Sequence, residues 1–420
     1  MSRARAICIP VLFCLFLLIP GLPLQPSDNA AAQTPTDVQR SGGQNQAGLR
    51  PDLRPGYAGD AACASCHRDQ SLSYLHTAHH LTSQLPNAES LPGSFTPGSN
   101  VLTIVDAASS ANHEGLYFTM EKKDDGYYET ATGIFTSGTK TRSEKIGIVT
   151  GSGVRGQTYL YWRGDELFEL PISYWTNGHQ WINSPGYRDG SADYSRPILQ
   201  GCLECHASYI RALTPSLWTN RFDPASFEPG ISCESCHGPG VEHIRREVAG
   251  SARREGPAIL NPAKFSRDRQ VDLCSLCHSG LARNELAPAF SYVPGQPLDR
   301  YFQQLAAPAA EHPDVHGNQA GLLKRSKCYL SSPGMTCSTC HDEHAPERAA
   351  ASYSSRCLTC HQWKSCRMST KLGHKITDNC IDCHMPLEPT AAIASETAGR
   401  VVRGIMRNHW IRVYSGTEHP

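Results

Sequence analysis

Seven times along the chain two cysteines stand three positions apart with a histidine directly after the second. The triplets are Cys63, Cys66 and His67; Cys202, Cys205 and His206; Cys233, Cys236 and His237; Cys274, Cys277 and His278; Cys337, Cys340 and His341; Cys357, Cys360 and His361; and Cys380, Cys383 and His384. They use 14 of the 18 cysteines, and every Cys-x-x-Cys in the sequence is followed by His. With only 19 His in 420 residues, chance would give that run less than roughly once in a billion trials. Zinc ribbons and thioredoxin-like dithiols share the cysteine spacing, but neither demands histidine at the next position every time. Covalent haem attachment does demand it. Two thiols add across the two vinyl groups of one macrocycle, and the adjacent imidazole reaches the iron as proximal ligand. The sequence therefore predicts seven covalently bound haem c groups, with His67, His206, His237, His278, His341, His361 and His384 on the proximal side.

Each iron then needs a sixth ligand. Seven of the 19 histidines are consumed, leaving 12, enough for bis-His coordination throughout. The candidates are His79 and His80, which on a helix point about 100° apart and could serve two different haems, then His243, His316, His344, His374 and His409. For each the alternative is a solvated or propionate-bonded imidazole. Methionine would raise the potential, and Met335 and Met368 are the residues placed to supply it. Cys328 and Cys366 lie outside the motifs. A disulfide between them would close a loop of about 39 residues, worth roughly 4 kcal/mol in an oxidising compartment; two free buried thiols are the alternative.

The compartment is read from the first residues. Arg3 and Arg5 precede an apolar run from Ala6 to Leu24, followed by Ala30, Ala31 and Ala32, the pattern of an export signal over residues 1–32. An uncleaved membrane anchor is the competing reading, against which Pro10, Pro20 and Pro23 argue. Covalent attachment in an exported chain implies the cytochrome c maturation machinery, and a chain of haems implies redox partner proteins. A balance of 39 basic against 39 acidic side chains predicts no nucleic-acid partner. Haem propionates would make the holoprotein acidic and pair with some Lys and Arg. Self-association is left open.

The elements that must position these groups fall into segments. After a polar leader (33–56), residues 57–94 carry the first motif. Residues 95–200 carry none and read as short strands: Leu116 to Met120, Gly126 to Thr130, Lys145 to Thr150, Thr158 to Trp162 and Glu166 to Pro171 are rich in β-branched and aromatic residues. Gly151 to Gly156 matches Gly-x-Gly-x-x-Gly, but a strand follows it, so a hairpin turn is expected and not a dinucleotide site. Residues 201–285 hold motifs two to four, 286–336 connect, and 337–390 hold motifs five to seven. The links between the last three motifs are short enough, at about 22 and 27 Å even as straight helices, to make those haems neighbours. In the tail (391–420), Ile405, Trp410 and Ile411 surround His409, so the tail is expected to return to the haem core; a strand packed on the β region is the alternative. With 35 Gly and 29 Pro, the expected fold is mainly α, loop-rich and wrapped around seven haems, with an antiparallel β insertion between the first and second.

Gly56 to His67, Cys233 to His243, Thr336 to His344 and Asn379 to Pro386 resemble stretches of the exported cytochrome c-554-like multihaem family, related to hydroxylamine oxidoreductase and tetrathionate reductase cytochromes. That resemblance implies electron-transfer haems, a mostly helical haem-binding fold and bis-His ligation, with His79, His243, His344 and His409 as distal ligands. The chain departs from tetrahaem members in haem number and in its insertion, so no substrate follows. Electron transfer in the periplasm or at the cell surface is the expected function. The alternatives are an oxidoreductase acting on a small nitrogen or sulfur compound at one open haem, and a subunit of a haem filament.

Overall fold

A computed structural model describes residues 54–414 apart from 109, 252, 253, 255, 257, 281, 306–313, 347 and 348. The export signal and all but the last residues of the leader lie outside the described residues.

Two antiparallel sheets fill the stretch without motifs. One contains β2 (Val101–Val105), β3 (Gly115–Lys123), β4 (Gly126–Phe135) and β5 (Gly138–Lys145) in that order. The other runs β1-β6-β7-β8-β9, with β1 at Ser83–Gln84, β6 at Ile148–Thr150, β7 at Gly156–Arg163, β8 at Glu166–Trp175 and β9 at Gln180–Asn183. Alternate side chains meet between the sheets: Phe118, Met120 and Ala131 from the first, and Val149, Tyr159, Leu170, Ile172 and Trp181 from the second, form one core. β8 is buried on both faces. Phe168, Leu170, Ile172 and Tyr174 enter the core between the sheets, whereas Leu167 joins a second cluster with Ile148, Leu160, Ile210, Phe222 and Leu203. Leu203 lies inside the second Cys-x-x-Cys-His, so the sheet is bolted directly to an attachment motif. Each such fully buried aliphatic side chain contributes about 1.5–3 kcal/mol.

The stretch Gly151 to Gly156 joins β6 to β7. Gly151 has φ 93°, and a Cβ there would lie 2.6 Å from the Gly156 carbonyl oxygen, so glycine is required for the turn and not for a phosphate.

The expectation of a mainly α fold is overturned: helix and strand each make up 27% of the chain. Outside the sheets the helices are short. Asp60–Ala64, Gln200–Glu204 and Cys233–His237 have five residues and Ile381–His384 four; Arg267–His278 reaches 12. Glycines in positive-φ conformations end or flank several of them, as at Gly59 and Gly238, and no helix of one or two turns is stable alone in water. The tail adds further strand. Leu387–Thr397 pairs with Arg400–Arg407 in a hairpin. That hairpin docks on β9, where the Asn183 N–H donates to Thr397 Oγ1 at 2.9 Å and Asn183 Nδ2 to the Glu396 carbonyl at 2.6 Å. Among the described residues no helix is long and apolar enough to cross a membrane.

Candidate haem-binding network

Within a motif one helical turn does the positioning. The N–H of His67, His341 and His361 each donates to the carbonyl of the first cysteine four residues earlier at 2.9 Å, and His384 does so at 3.1 Å. Residues i, i+3 and i+4 then share a face, which presents two thiols and an imidazole to one side.

Four proximal histidines face a second imidazole. Ring centroids lie 6.4 Å apart for His67 and His243, 6.0 Å for His278 and His79, 5.9 Å for His237 and His344, and 6.2 Å for His341 and His409. A metal–imidazole bond is about 2.0–2.1 Å and the ring centre lies about 1.1 Å behind the nitrogen, so two imidazoles on one ion stand about 6.2–6.4 Å apart. The observed spacings leave room for one iron in each pair. Three pairs are near parallel, with interplanar angles of 22°, 27° and 20°, while His79 and His278 cross at 71°.

Hydrogen bonds fix which ring nitrogen is available. Nδ1 of His237 donates to the Leu260 carbonyl at 2.9 Å, His384 to Arg412 at 2.9 Å and His409 to Arg407 at 3.0 Å; Nδ1 of His278 lies 3.2 Å from Gln319 Oε1. With the proton on Nδ1, the Nε2 lone pair is left for a metal, and the carbonyl raises its basicity. Burial pushes His79 and His409 down to about 4 and also lowers His206 and His278. The neutral form that binds iron is therefore the resting one. The residues present fit haem.

The motifs also touch one another. The thiols of Cys63 and Cys233 lie close enough to perturb each other electrostatically, as do those of Cys205 and Cys277, Cys274 and Cys337, and Cys357 and Cys380; with haem attached these atoms are thioether sulfurs. Buried side chains bolt each contact. Glu234, inside the third motif and 3% exposed, accepts from the N–H of Ala58 and Gly59, just before the first motif, at 2.8 Å each, and from Gly240 at 2.7 Å. Asp60 returns the contact by accepting from the Cys233 N–H at 2.9 Å. Glu204, inside the second motif, accepts from the Phe290 N–H at 2.8 Å and from Arg283 Nη2 at 2.9 Å, while Arg283 Nη1 donates to the Leu276 carbonyl within the fourth motif at 2.7 Å. Burial raises the Glu204 carboxyl, partly offset by the Phe290 N–H and Arg283. Arg267 ties the fourth motif's helix to the carbonyls of Met335 and Tyr329, and the Ser354 hydroxyl accepts from the Cys380 N–H at 2.8 Å. The sequence reading missed these clamps. Its available signal was an acidic residue between two attachment cysteines, at Glu204 and Glu234.

Other expected site residues fall elsewhere. His316 is half-buried in electrostatic reach of His206, with Nδ1 buried and unpartnered by protein. His80 packs on Tyr74 and His374 on Trp363, at 6.0 and 4.3 Å between ring centres. Beside it His361 opens on a surface cavity of about 440 Å³ lined also by Leu358, Gln362, Trp363 and Lys364. Of the two cysteines outside the motifs, Cys328 lies in the electrostatic neighbourhood of Cys340 and Cys357, and Cys366 in that of Cys383. The chain places each beside a different attachment motif.

Seven attachment motifs, facing imidazoles and interlocked motif backbones define a multihaem c-type cytochrome, a class whose work is electron transfer. The comparisons agree. Residues 183–238, spanning the second and third motifs, match the family Cytochrome c554 and c-prime. The C-type polyheme cytochrome OmcC of Geobacter sulfurreducens is 25% identical over 167 residues, which are 35% of this chain and 20% of OmcC. The chain thus spans about a fifth of that relative's length. The crystal structure of the outer cell wall cytochrome OcwA shares the fold, with a TM-score of 0.52 and 18% identity, over 85% of this chain and 80% of OcwA.

Proposed function

We propose that the chain carries seven haem c groups and passes electrons along them in the periplasm or at the cell surface, between redox partner proteins. The haems supply one-electron redox chemistry at their irons. The observation that carries the reading is the set of four imidazole pairs, joined to one another by motif-to-motif contacts. In it His243 completes the coordination of the haem on His67, His79 that on His278, His344 that on His237 and His409 that on His341, while His316 serves His206. Neighbouring cysteine sulfurs relate the first motif to the third, the second to the fourth, the fourth to the fifth and the sixth to the seventh. Cys236 lies in reach of Cys274, and Cys340 in reach of Cys357, which link the third motif to the fourth and the fifth to the sixth. The result is a line from the first motif through the third, fourth, fifth and sixth to the seventh, with the second branching from the fourth.

A pyridine haemochrome assay with intact mass on the mature exported protein tests the count. Seven haems per chain and a low-spin oxidised spectrum are expected. Fewer than seven would show an unused motif, and a mainly high-spin spectrum would sink the imidazole assignment.

A further inference from the structure

We infer that the exposed basic face around the sixth motif is a docking surface for an acidic redox protein, which exchanges electrons with the network there. This inference rests on the electron-transfer reading and names the partner for one end of the line.

The first motif, with Cys66 and His67, and the sixth, with Cys360 and His361, are the two to compare as places of exchange. They lie toward opposite ends of the proposed line, where exchange with other proteins must occur. Their surroundings differ in charge. The first is followed by Arg68 and Asp69, one of each sign. Around the sixth, residues 349–377 contain Arg356, Lys364, Arg367, Lys371 and Lys375 and no Asp or Glu. All five cations are exposed.

Elsewhere the chain pairs its surface arginines, as in Arg211 with Asp223 and Arg221 with Asp165. Among the described residues no ion pair includes any of these five. Asp378 directly follows this segment, and Asp382 beyond it is held by Arg407 at 2.8 Å. A chain with zero formal net charge has thus collected, beside one attachment site, five exposed cations with no protein ion-pair partner. Solvation alone gives no reason for such segregation, whereas a one-sign patch steers an oppositely charged partner and orients it on arrival. Within the segment Trp363 is half-buried against His374, with the Lys364 ammonium 5.7 Å from its ring centre. An aromatic residue among cations is the composition of a contact site.

The test uses the mature holoprotein and two reductants: photoreduced flavodoxin, a strongly acidic electron carrier, and the neutral semiquinone of lumiflavin. In the wild type, the rate constant with flavodoxin should fall steeply with ionic strength, and that with lumiflavin should not. The fourfold variant Lys364→Glu, Arg367→Glu, Lys371→Glu, Lys375→Glu should react with flavodoxin at least about tenfold more slowly at low salt, with a flattened salt dependence. Its lumiflavin rate and haem spectrum should be unchanged. The fourfold Gln variant should fall between, and covers the case in which charge reversal disturbs folding. Lys122→Glu with Lys140→Glu, on the β sheet, should leave both rates alone.

Unaltered flavodoxin kinetics in both fourfold variants would overturn the inference. So would equal slowing with lumiflavin alongside a changed haem spectrum, which would mean that the cations hold haem propionates. If neither reductant reduced the wild-type haems, the electron-transfer reading itself would fail, an outcome distinct from the other two.

Discussion

Glu234→Ala should be among the most damaging single substitutions in the chain. The side chain accepts three backbone N–H groups at 2.7 to 2.8 Å and is 3% exposed. A hydrogen bond to a charged acceptor contributes about 1.5–3 kcal/mol net, and a buried donor left unpaired costs about 1–3 kcal/mol. With some relaxation and water entry, three orphaned donors amount to about 4–5 kcal/mol, at the top of what single substitutions do. Asp60→Ala removes one such bond across the same contact, to the Cys233 N–H, and should cost about 1–2 kcal/mol on the same scale. The assay is urea unfolding of the oxidised holoprotein, followed by the Soret shift that accompanies loss of axial histidine. Attached haem stays constant because the link is covalent, so the signal reports coordination and not haem loss. The expected order is wild type, Asp60→Ala, then Glu234→Ala at the lowest midpoint. If Glu234→Ala unfolded at the same urea concentration as Asp60→Ala, the bonds from Ala58 and Gly59 would not be holding the segment before the first motif to the third.

Two further outcomes are expected. Glu129 lies between the two sheets with neither oxygen within bonding distance of a partner; burial pushes its carboxyl well above the usual range, the Ile172 backbone offsetting only part. The folded state therefore holds this proton more tightly than the unfolded chain, so its contribution is complete below about pH 4.5 and is lost as pH rises toward the folded value, by up to about 1.4 kcal/mol per pH unit. Glu129→Gln should flatten that decline in urea midpoints taken at pH 5, 7 and 9; parallel profiles would show that the carboxyl is compensated. His409→Ala and His79→Ala should each leave seven haems attached while turning one high-spin. In electron paramagnetic resonance they should remove different signals, because the His79 pair crosses at 71° and the His409 pair at 20° and ligand-plane orientation shapes the spectrum of low-spin iron. A wholly low-spin variant would remove that histidine from the ligand set.

The attachment motifs were legible because their chemistry is local: one helical turn places Cys, Cys and His together whatever the rest of the chain does. The facing imidazoles were legible only as a list. His409 could be singled out from the apolar Ile405, Trp410 and Ile411 around it, yet its neighbour His341 could not, since that proximity depends on Ser326, whose hydroxyl donates to the His409 carbonyl and accepts from the Ile411 N–H. The helix content was misjudged for a related reason. Residues such as Val401 and Val402 have strand propensity, and the hairpin on β9 realises it through hydrogen bonds from Asn183, a residue far away in sequence.

The clamps suggest where the geometry of such a network is encoded. Haem attachment fixes the two cysteines and the histidine of each motif and leaves the two residues between the cysteines chemically free. In two motifs a side chain at one of those positions reaches backbone outside its own motif. In the second motif the pair is Leu203 and Glu204: the first is packed into the cluster behind β8, and the second is held by Arg283 and the Phe290 N–H. In the third it is Glu234 and Ser235, and Glu234 takes three N–H groups. A buried carboxylate there would be costly in isolation, and it is tolerated because three backbone donors, two from the segment before the first motif and one from just after the third, surround it. The same desolvation that penalises the charge makes each of those bonds strong, so the residue that looks least suited to a buried core is the one that ties the segment before the first motif to the third.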